Sequence, residues 1–329
     1  MTLLLSRSDL EGLLDVRSCM EELRRGFTAP PSGTDAQRVR TDLPGPGTAT
    51  ALIPGLVDGI PAYTVKVNAK FPGARPALRG VVCLHDLQSG ELLALLDSAT
   101  VTAWRTGLAA ALGTDVLARA HAPAVAVIGA GAQSSLVLSG LAALRRWDRL
   151  VVCDLDAARA QAFAEARAHD HDRPTAATAA TAATAATAVT ADAQAAARQA
   201  DIVVLATWSR SPLLDLGDVR PGTHVTSLGA DEPGKAELSP ALLQSGRLIV
   251  DDARLARTSG ALGTAGLTAE DAAGTLGDVL RGTLPGRTTD TETTIYTPVG
   301  LPWQDLALAW TAYRLARESG RGRHFDFLA

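Results

Sequence analysis

The stretch Ala122–Asp156, APAVAVIGAGAQSSLVLSGLAALRRWDRLVVCDLD, decides the fold. Val125-Ala126-Val127-Ile128 is a short apolar run and reads as a buried strand. It runs into Gly129-Ala130-Gly131-Ala132-Gln133-Ser134, and a helical pattern follows with Leu136, Leu138, Leu141 and Leu144 as its apolar residues. A second apolar run, Leu150–Cys153, ends on Asp154. Strand, glycine turn, helix, strand and acid in that order make the dinucleotide-binding βαβ unit. Gly129 allows the tight turn off the strand. Gly131, without a side chain, lets the backbone approach a pyrophosphate, and the helix start offers N–H groups and the positive end of its dipole. Ser134 stands where the fingerprint has its third glycine and is small enough for close helix–strand packing. Asp154 is placed to accept hydrogen bonds from the ribose hydroxyls and to repel a 2′-phosphate, so NAD is expected over NADP. Arg159, close behind, softens that preference. Without its context the glycine turn is an ordinary turn of an α/β protein.

Working outward, the same alternation continues. Asp156–Ala168 reads as a helix, Asp192–Gln199 as another, and Asp201–Ala206, Thr223–Leu228 and Arg247–Asp251 as buried strands. Alternating strands and helices predict a parallel sheet covered on both faces, with ligands beyond the carboxyl ends of its strands. That draws attention to Thr207-Trp208-Ser209 and to Gly229-Ala230-Asp231. The segment from Thr175 to Thr190 repeats a Thr/Ala-rich unit and reads as low complexity leading into a weak strand at Ala186–Thr190. Thr264–Leu284 reads as helical, broken by Gly274 and Gly277.

The N-terminal part is different. Leu3–Leu5 reads as an edge strand, Ser8-Asp9-Leu10-Glu11 as a capping box with Ser8 as N-cap, and Val16–Phe27 as a helix. From Gln37 to Leu96 short strands predominate: Thr48–Ile53, Ala62–Val67, Gly80–Asp86 and Glu91–Leu96, read together as a small antiparallel sheet. Ser98–Ala118 is an alanine-rich helix. At the other end Trp303–Ser319 reads as a helix with Leu306, Ala309, Trp310, Tyr313 and Ala316 on one face. It is expected to return to the N-terminal part.

Composition sets the bounds. The 329 residues suffice for two domains, and 47% hydrophobic with 20% charged residues is a globular mixture. A net charge of −4 carries no basic face for nucleic acid. No apolar run is long enough to span a bilayer, and the start MTLLLSRSDLEGLL lacks the basic leader of a secretory signal, so a cytoplasmic enzyme is expected. Cys19, Cys83 and Cys153 have neither metal nor redox spacing, and the two in apolar strand runs read as buried, inert thiols. The six histidines form no H-x-x-x-H or H-E-x-x-H pattern, so no metal is expected.

Few residues outside the glycine turn could carry chemistry. Lys66 sits in Tyr63-Thr64-Val65-Lys66-Val67; by pattern alone it can point to solvent from the polar side of a strand. Arg105 lies in an almost uncharged helix, as a surface arginine or an ion-pair partner. Arg40 is uninformative by itself. Asp231 follows a strand, as a turn acid or as a residue of a substrate-facing loop.

The segments YTVKVNAKFPG, TAWRTG, VIGAGAQSS, SLGADEPGKAEL and PVGLPWQDLALA together resemble the ornithine cyclodeaminase/mu-crystallin family, in order and over nearly the whole chain. The run GADEPGKAEL is far more specific than the glycine turn. The resemblance implies an α/β fold: a Rossmann dinucleotide-binding domain plus a split α+β substrate and dimerisation domain. We place the first part at residues 1–119, the Rossmann domain at 120–297 and the C-terminal return at 298–329. It implies a homodimer, and a small amino or imino acid as substrate. Lys66 and Arg105 match the cations that meet the substrate carboxylate, Arg40 a third cation for which Arg38 competes, and Asp231 the acid at the reacting carbon. Gly129, Gly131, Ala132, Gln133, Ser134, Asp154 and Thr207 match the cofactor side.

The sequence also departs from the cyclodeaminase pattern. That pattern has a glutamate before the lysine strand, whereas here the stretch is Thr50-Ala51-Leu52-Ile53-Pro54. The expectation is therefore an NAD-dependent oxidoreductase, an amino-acid dehydrogenase or imine (ketimine) reductase, as in the family's alanine dehydrogenases. The alternatives are an ornithine or lysine cyclodeaminase that uses NAD catalytically and a non-catalytic ligand-binding protein of mu-crystallin type. Arg79, where relatives commonly have proline, is expected to meet a polar group of the substrate side chain, or else to be a solvated loop arginine. Trp104 and Trp208 are expected to narrow the site, stack on a ligand or simply pack.

Overall fold

The computed structural model describes residues 1–30, 33–71, 73–167, 186–327 and 329. In chain order the elements begin with β1 (Thr2–Leu5), α1 (Arg7–Glu11), α2 (Val16–Thr28), β2 (Gln37–Asp42), β3 (Thr48–Gly55), β4 (Ala62–Lys70), β5 (Leu78–Asp86), β6 (Leu92–Asp97) and α3 (Ser98–Leu117). Then come β7 (Ala124–Ile128), α4 (Ala132–Leu144), β8 (Arg149–Cys153), α5 (Ala157–Arg167), β9 (Ala186–Thr190), α6 (Ala193–Ala197), β10 (Ile202–Leu205) and β11 (His224–Ser227). The last are α7 (Pro240–Ser245), β12 (Arg247–Val250), α8 (Ala253–Ser259), α9 (Ala261–Thr264), β13 (Gly274–Thr275), α10 (Leu276–Arg281), β14 (Thr294–Tyr296), α11 (Pro302–Ser319) and β15 (Arg323–Phe325).

Two compact units result: Met1–Thr106 with Leu301–Ala329, and Gly107–Gly300. These divisions fall inside α3 and at the start of α11, whereas the sequence reading drew them at 119/120 and 297/298. The packing of α3 explains the first. A side chain at Gly107 would strike Leu136 on α4, and one at Gly113 would strike Tyr296 on β14, so the second half of this helix packs with the nucleotide-type sheet.

The first unit is a seven-stranded sheet in the order β15-β1-β6-β5-β4-β3-β2. The sheet is mixed: β1 runs parallel to β6, and the other neighbours are antiparallel. Two expectations are corrected here. Leu3–Leu5 is interior, because β15 returns from the far end of the chain to cover it, with Leu3 opposite His324. The first helix is capped by Ser6 with Asp9, not by Ser8 with Glu11, because β1 ends at Leu5 and the chain must turn at once. Helix α11 begins with Pro302 at its first turn, where the missing N–H costs nothing. It packs on β3, β4, β5 and α2.

The register sets what faces α11. Arg38 pairs with Leu52, Leu52 with Lys66, Lys66 with Val82 and Val82 with Leu96. Leu52, Lys66, Val82 and Leu96 are all buried. The neighbouring row, Val39–Ala51–Val67–Val81, points to the opposite face by strand alternation. There Val39 is 57% and Val67 46% exposed.

The second unit is an eight-stranded parallel sheet, β13-β12-β14-β11-β10-β7-β8-β9. Its strands β7, β8 and β10 are apolar on both faces, as parallel strands covered by helices are. Val125, Val127, Leu150, Val152, Ile202 and Val204 pack with Leu138 and Leu141 of α4 in one core. Thr264–Leu284 is not the broken helix expected: it holds a short 3-10 turn, the two-residue β13 and then α10. A two-residue strand against β12 is too short to leave a periodic signal. The weak strand Ala186–Thr190 forms and pairs with β8, while residues 175–185 of the repeat lie outside the described residues. No helix among the described residues is long and apolar enough to cross a membrane.

Candidate active site

Strand β7 has β8 on one side and β10 on the other, so the strand order reverses there, and open α/β sheets bind their ligands at the carboxyl end of such a switch point. Gly129 leaves β7 with φ 97°, and a side chain there would meet the Ala206 carbonyl at 2.6 Å. This glycine is required by the fold. Gly131 is not. Its φ of −108° suits any residue, and a Cβ would meet nothing within 4 Å. The space it leaves open lies at the start of α4, where no side chain caps the helix and the first-turn N–H groups of Ala132 and Gln133 point outward. Ser134 is buried and donates to the Gly129 carbonyl at 2.5 Å, which locks the turn to the helix.

Asp154 closes this corner. One oxygen accepts from the Ala130 N–H at 2.8 Å; the other takes the Asp156 N–H and, at 2.7 Å, Arg159. Burial pushes its carboxyl up, but Arg159 and these backbone donors outweigh it and hold the group below the usual range. An open cradle, an uncapped helix start and an ionised acid at the next strand end fit a dinucleotide with free ribose hydroxyls.

Beyond β10 and β11 lies a group that the sequence reading did not single out. Glu237 is fully buried and accepts from the Thr207 N–H, the Thr207 hydroxyl, the Ser227 hydroxyl and the Gly229 N–H, all at 2.7 Å. It ties the loops after two adjacent strands together without a cation. Burial raises its pKa against these four hydrogen bonds. The Thr207 hydroxyl, expected to face the cofactor, is committed to Glu237. Asp231 lies on the loop so held, and Lys235 reaches its carboxylate at 2.8 Å. The Lys235 ammonium also stands 4.7 Å from the centre of the Trp208 ring. Trp208 is 59% exposed, so it does not pack in the core.

The cations of the first unit form the second cluster. Lys66 does not point to solvent: it is 1% exposed. Its ammonium lies 2.6 Å from Asp305 Oδ2 and donates to the Thr102 hydroxyl at 3.3 Å. Arg105, also buried, uses Nε toward Asp305 Oδ1 and Nη1 toward Gln304 Oε1, both at 3.3 Å. Among the described residues Arg105 Nη2 and one N–H of Lys66 have no protein acceptor. Two buried cations face one buried acid, and the group carries an excess positive charge. Burial pulls the Lys66 ammonium down to about 7; Asp305 pushes it up, Arg105 and Arg38 further down. Such a site is built for one more negative charge, and a planar carboxylate suits the arginine edge.

Of the other expected cations, Arg40 pairs with Asp42 at 2.8 Å, while the Arg38 charge reaches Lys66. Arg38 sits in register with Leu52 and Lys66, one strand further out than the buried pair. Arg79 pairs with Ala69, on the sheet face opposite Lys66, and its exposed side chain donates to the Pro76 carbonyl. It is not part of the cluster, which favours the solvated arginine over the substrate contact; it lies on strand β5, and the sequence alone did not say which face of that strand meets Lys66. Thr102, Gln304 and Asp305 were legible only as members of TAWRTG and PVGLPWQDLALA.

The three cysteines are free, and burial pushes Cys19 up to about 12 and Cys153 up to about 11. Cys83 is only half-buried, less than its strand pattern suggested, and burial raises it too. No cluster of metal-ligating side chains occurs among the described residues.

Fold and glycine turn define a dinucleotide-binding protein whose other unit carries a buried cluster of cations around one acid. The model of the ornithine cyclodeaminase/mu-crystallin family matches residues 1–320, and the chain belongs to that family. It is 29% identical to the alanine dehydrogenase of Archaeoglobus fulgidus, covering 99% of this chain and 98% of that protein. An archaeal alanine dehydrogenase dimer with bound NAD superposes with a TM-score of 0.87 at 27% identity, covering 99% of each chain. The Δ1-pyrroline-2-carboxylate reductase of Thermococcus litoralis, in complex with NADH and L-proline, also gives 0.87 at 27% identity, covering 98% of this chain and 100% of that one.

Proposed function

We propose that this chain is an NAD(H)-dependent oxidoreductase acting at the α-carbon of an amino or imino acid. The observation that carries the reading is the buried Lys66–Arg105 pair with its excess positive charge and unclaimed donors. In this reading Arg105 donates to the substrate carboxylate through Nη2, and Lys66 adds its free N–H. Arg38 strengthens the local field. NAD, held by the Gly129–Ser134 turn and Asp154, supplies hydride exchange when bound. Asp231 handles the proton at the reacting nitrogen, and Lys235 orients its carboxylate from 2.8 Å. The stretch Thr50–Pro54 lies on β3 and has no carboxylate, which favours net redox over cyclodeamination.

The same reading takes the enzyme as a homodimer, as the NAD-bound alanine dehydrogenase is. The exposed sheet face that carries Val39, Ile53 and Val67 supports it. The three free thiols fit the cytoplasm.

The test follows absorbance at the NADH band with pyruvate plus ammonia, with cyclic ketimines, and in reverse with alanine, proline, ornithine and lysine plus NAD. Ammonia is measured in parallel. Stoichiometric NADH use or formation is expected. Ammonia release from ornithine or lysine without net NADH change would replace this reading with a cyclodeaminase.

A further inference from the structure

We propose that Asp305 is a positioning residue for the carboxylate clamp: it aims Lys66 and Arg105 at an incoming carboxylate and limits the clamp's excess charge, so that one carboxylate completes it. The proposal rests on the reading above and concerns how that site is kept competent.

The geometry assigns one oxygen to each cation. Oδ2 lies 2.6 Å from Lys66 and Oδ1 3.3 Å from Arg105 Nε. The preceding residue, Gln304, takes Nη1 of the same arginine and is itself fixed by the Leu301 N–H. The first turns of α11 thus hold the Nε and Nη1 sides of the guanidinium and leave Nη2 pointing elsewhere. Asp305 is 1% exposed, so its partners are these cations and not water. Asp305 lies in the first turn of α11, where the helix dipole favours a negative charge.

Charge sets the second half of the role. Lys66 faces Asp305 from α11, Arg105 from α3 and Arg38 from β2. Without the aspartate charge, two cations would crowd a buried ammonium that burial already disfavours, and Lys66 would lose its proton at lower pH. The clamp would keep its shape and lose a charge. If the aspartate instead occupied the substrate carboxylate's place, removing its charge would tighten binding.

The experiment uses the full-length protein saturated with NADH and L-proline as the probe. Binding is measured by calorimetry from pH 6 to 9 for wild type, Asp305→Asn, Lys66→Met and the double variant. Asp305→Asn is expected to weaken L-proline about tenfold or more, as loss of a charged partner does. It should move the pH at which affinity falls to lower values and leave NADH binding unchanged. On the Lys66→Met background the same substitution is expected to cost less than in wild type, because only the hold on Arg105 is left to lose. Unchanged affinity and pH midpoint in Asp305→Asn, tighter binding, or equal effects on both backgrounds would each overturn the proposal. Should Asp305→Asn fail to fold, the double variant, which removes the Lys66 and Asp305 charges together, is compared with Lys66→Met alone; weaker binding from the lost hold on Arg105 is expected, and unchanged or tighter binding overturns the proposal. A wild-type protein that binds NADH but none of L-proline, L-alanine and pyruvate overturns the function reading and this proposal with it. Binding by wild type with no Asp305→Asn effect overturns this proposal alone.

Discussion

Two buried carboxylates show how the same group serves different ends. Glu237, in the second unit, is surrounded by four neutral donors and no cation. Every lone pair is used and nothing is left for a ligand. Asp305, in the first unit, faces two cations that keep spare donors. Glu237 is saturated and ties two loops together; the Asp305 group keeps a surplus positive charge, which in the proposed reading a substrate carboxylate meets. A buried polar network with all partners present rigidifies, and one with a surplus charge binds.

The strongest way to break this contrast is Arg105→Ala. It should lower kcat/KM for the acid by roughly 10³, since truncating one partner of a buried charged pair costs about 2–5 kcal/mol. NADH affinity should stay within about twofold, and a parallel loss would mean that the clamp has a different task.

Next comes Gly131→Val. Because a Cβ there meets nothing, thermal stability should be unchanged while NADH dissociation rises about 100-fold, read by fluorescence titration. A fall in melting temperature would show that the glycine serves the fold.

Glu237→Gln turns one acceptor into a donor against N–H groups. A loss of about 2 kcal/mol in unfolding free energy is expected by denaturant titration. KM for the acid should change little once the protein is folded. A large KM effect at full stability would erase the distinction between the two carboxylates.

The pH dependence sharpens it. Lys66 titrates at about 7 in the free enzyme, well below its ordinary value. The acid's kcat/KM should therefore fall as pH rises through about 7, because the clamp loses its charge. Stability moves the other way. Between about 7 and the ordinary lysine range the unfolded chain binds the extra proton, so the lysine's burial penalty shrinks as pH rises. A flat kcat/KM profile between pH 6 and 9 would contradict a Lys66 that must be charged. The smallest effect concerns the neighbouring cations. Arg38→Ala should raise KM about fivefold, and Arg40→Ala and Arg79→Ala less than twofold, in keeping with weak exposed pairs. An Arg79→Ala effect larger than that of Arg38→Ala would restore Arg79 to the site.

Much of this was legible in sequence, and for definable reasons. The βαβ unit declares itself locally: strand, glycine turn, helix and acid lie within one short stretch, so Gly129, Gly131 and Asp154 could be assigned roles from spacing alone. Lys66 could not, because alternation along β4 does not say which face is buried. Arg38 and Arg40 were indistinguishable on one strand, since both share a face. Only the register across β2, β3 and β4 and the pairing of Arg40 with Asp42 separate them. The first helix cap was misread because two overlapping capping patterns, Ser6–Asp9 and Ser8–Glu11, both fit.

The sequence by itself determined the dinucleotide-type domain and the family, and through the family motifs it singled out Lys66 and Arg105, because those signals are carried by neighbours in the chain or by motifs. Only the tertiary structure decided that Asp305 sits against both cations and that Glu237 gathers the Thr207, Ser227 and Gly229 donors. It also showed that β15 covers β1. Asp305 lies 200 residues from Arg105. Such contacts are made by packing a helix or strand from one end of the chain against elements from the other, and no local pattern of side chains encodes that meeting.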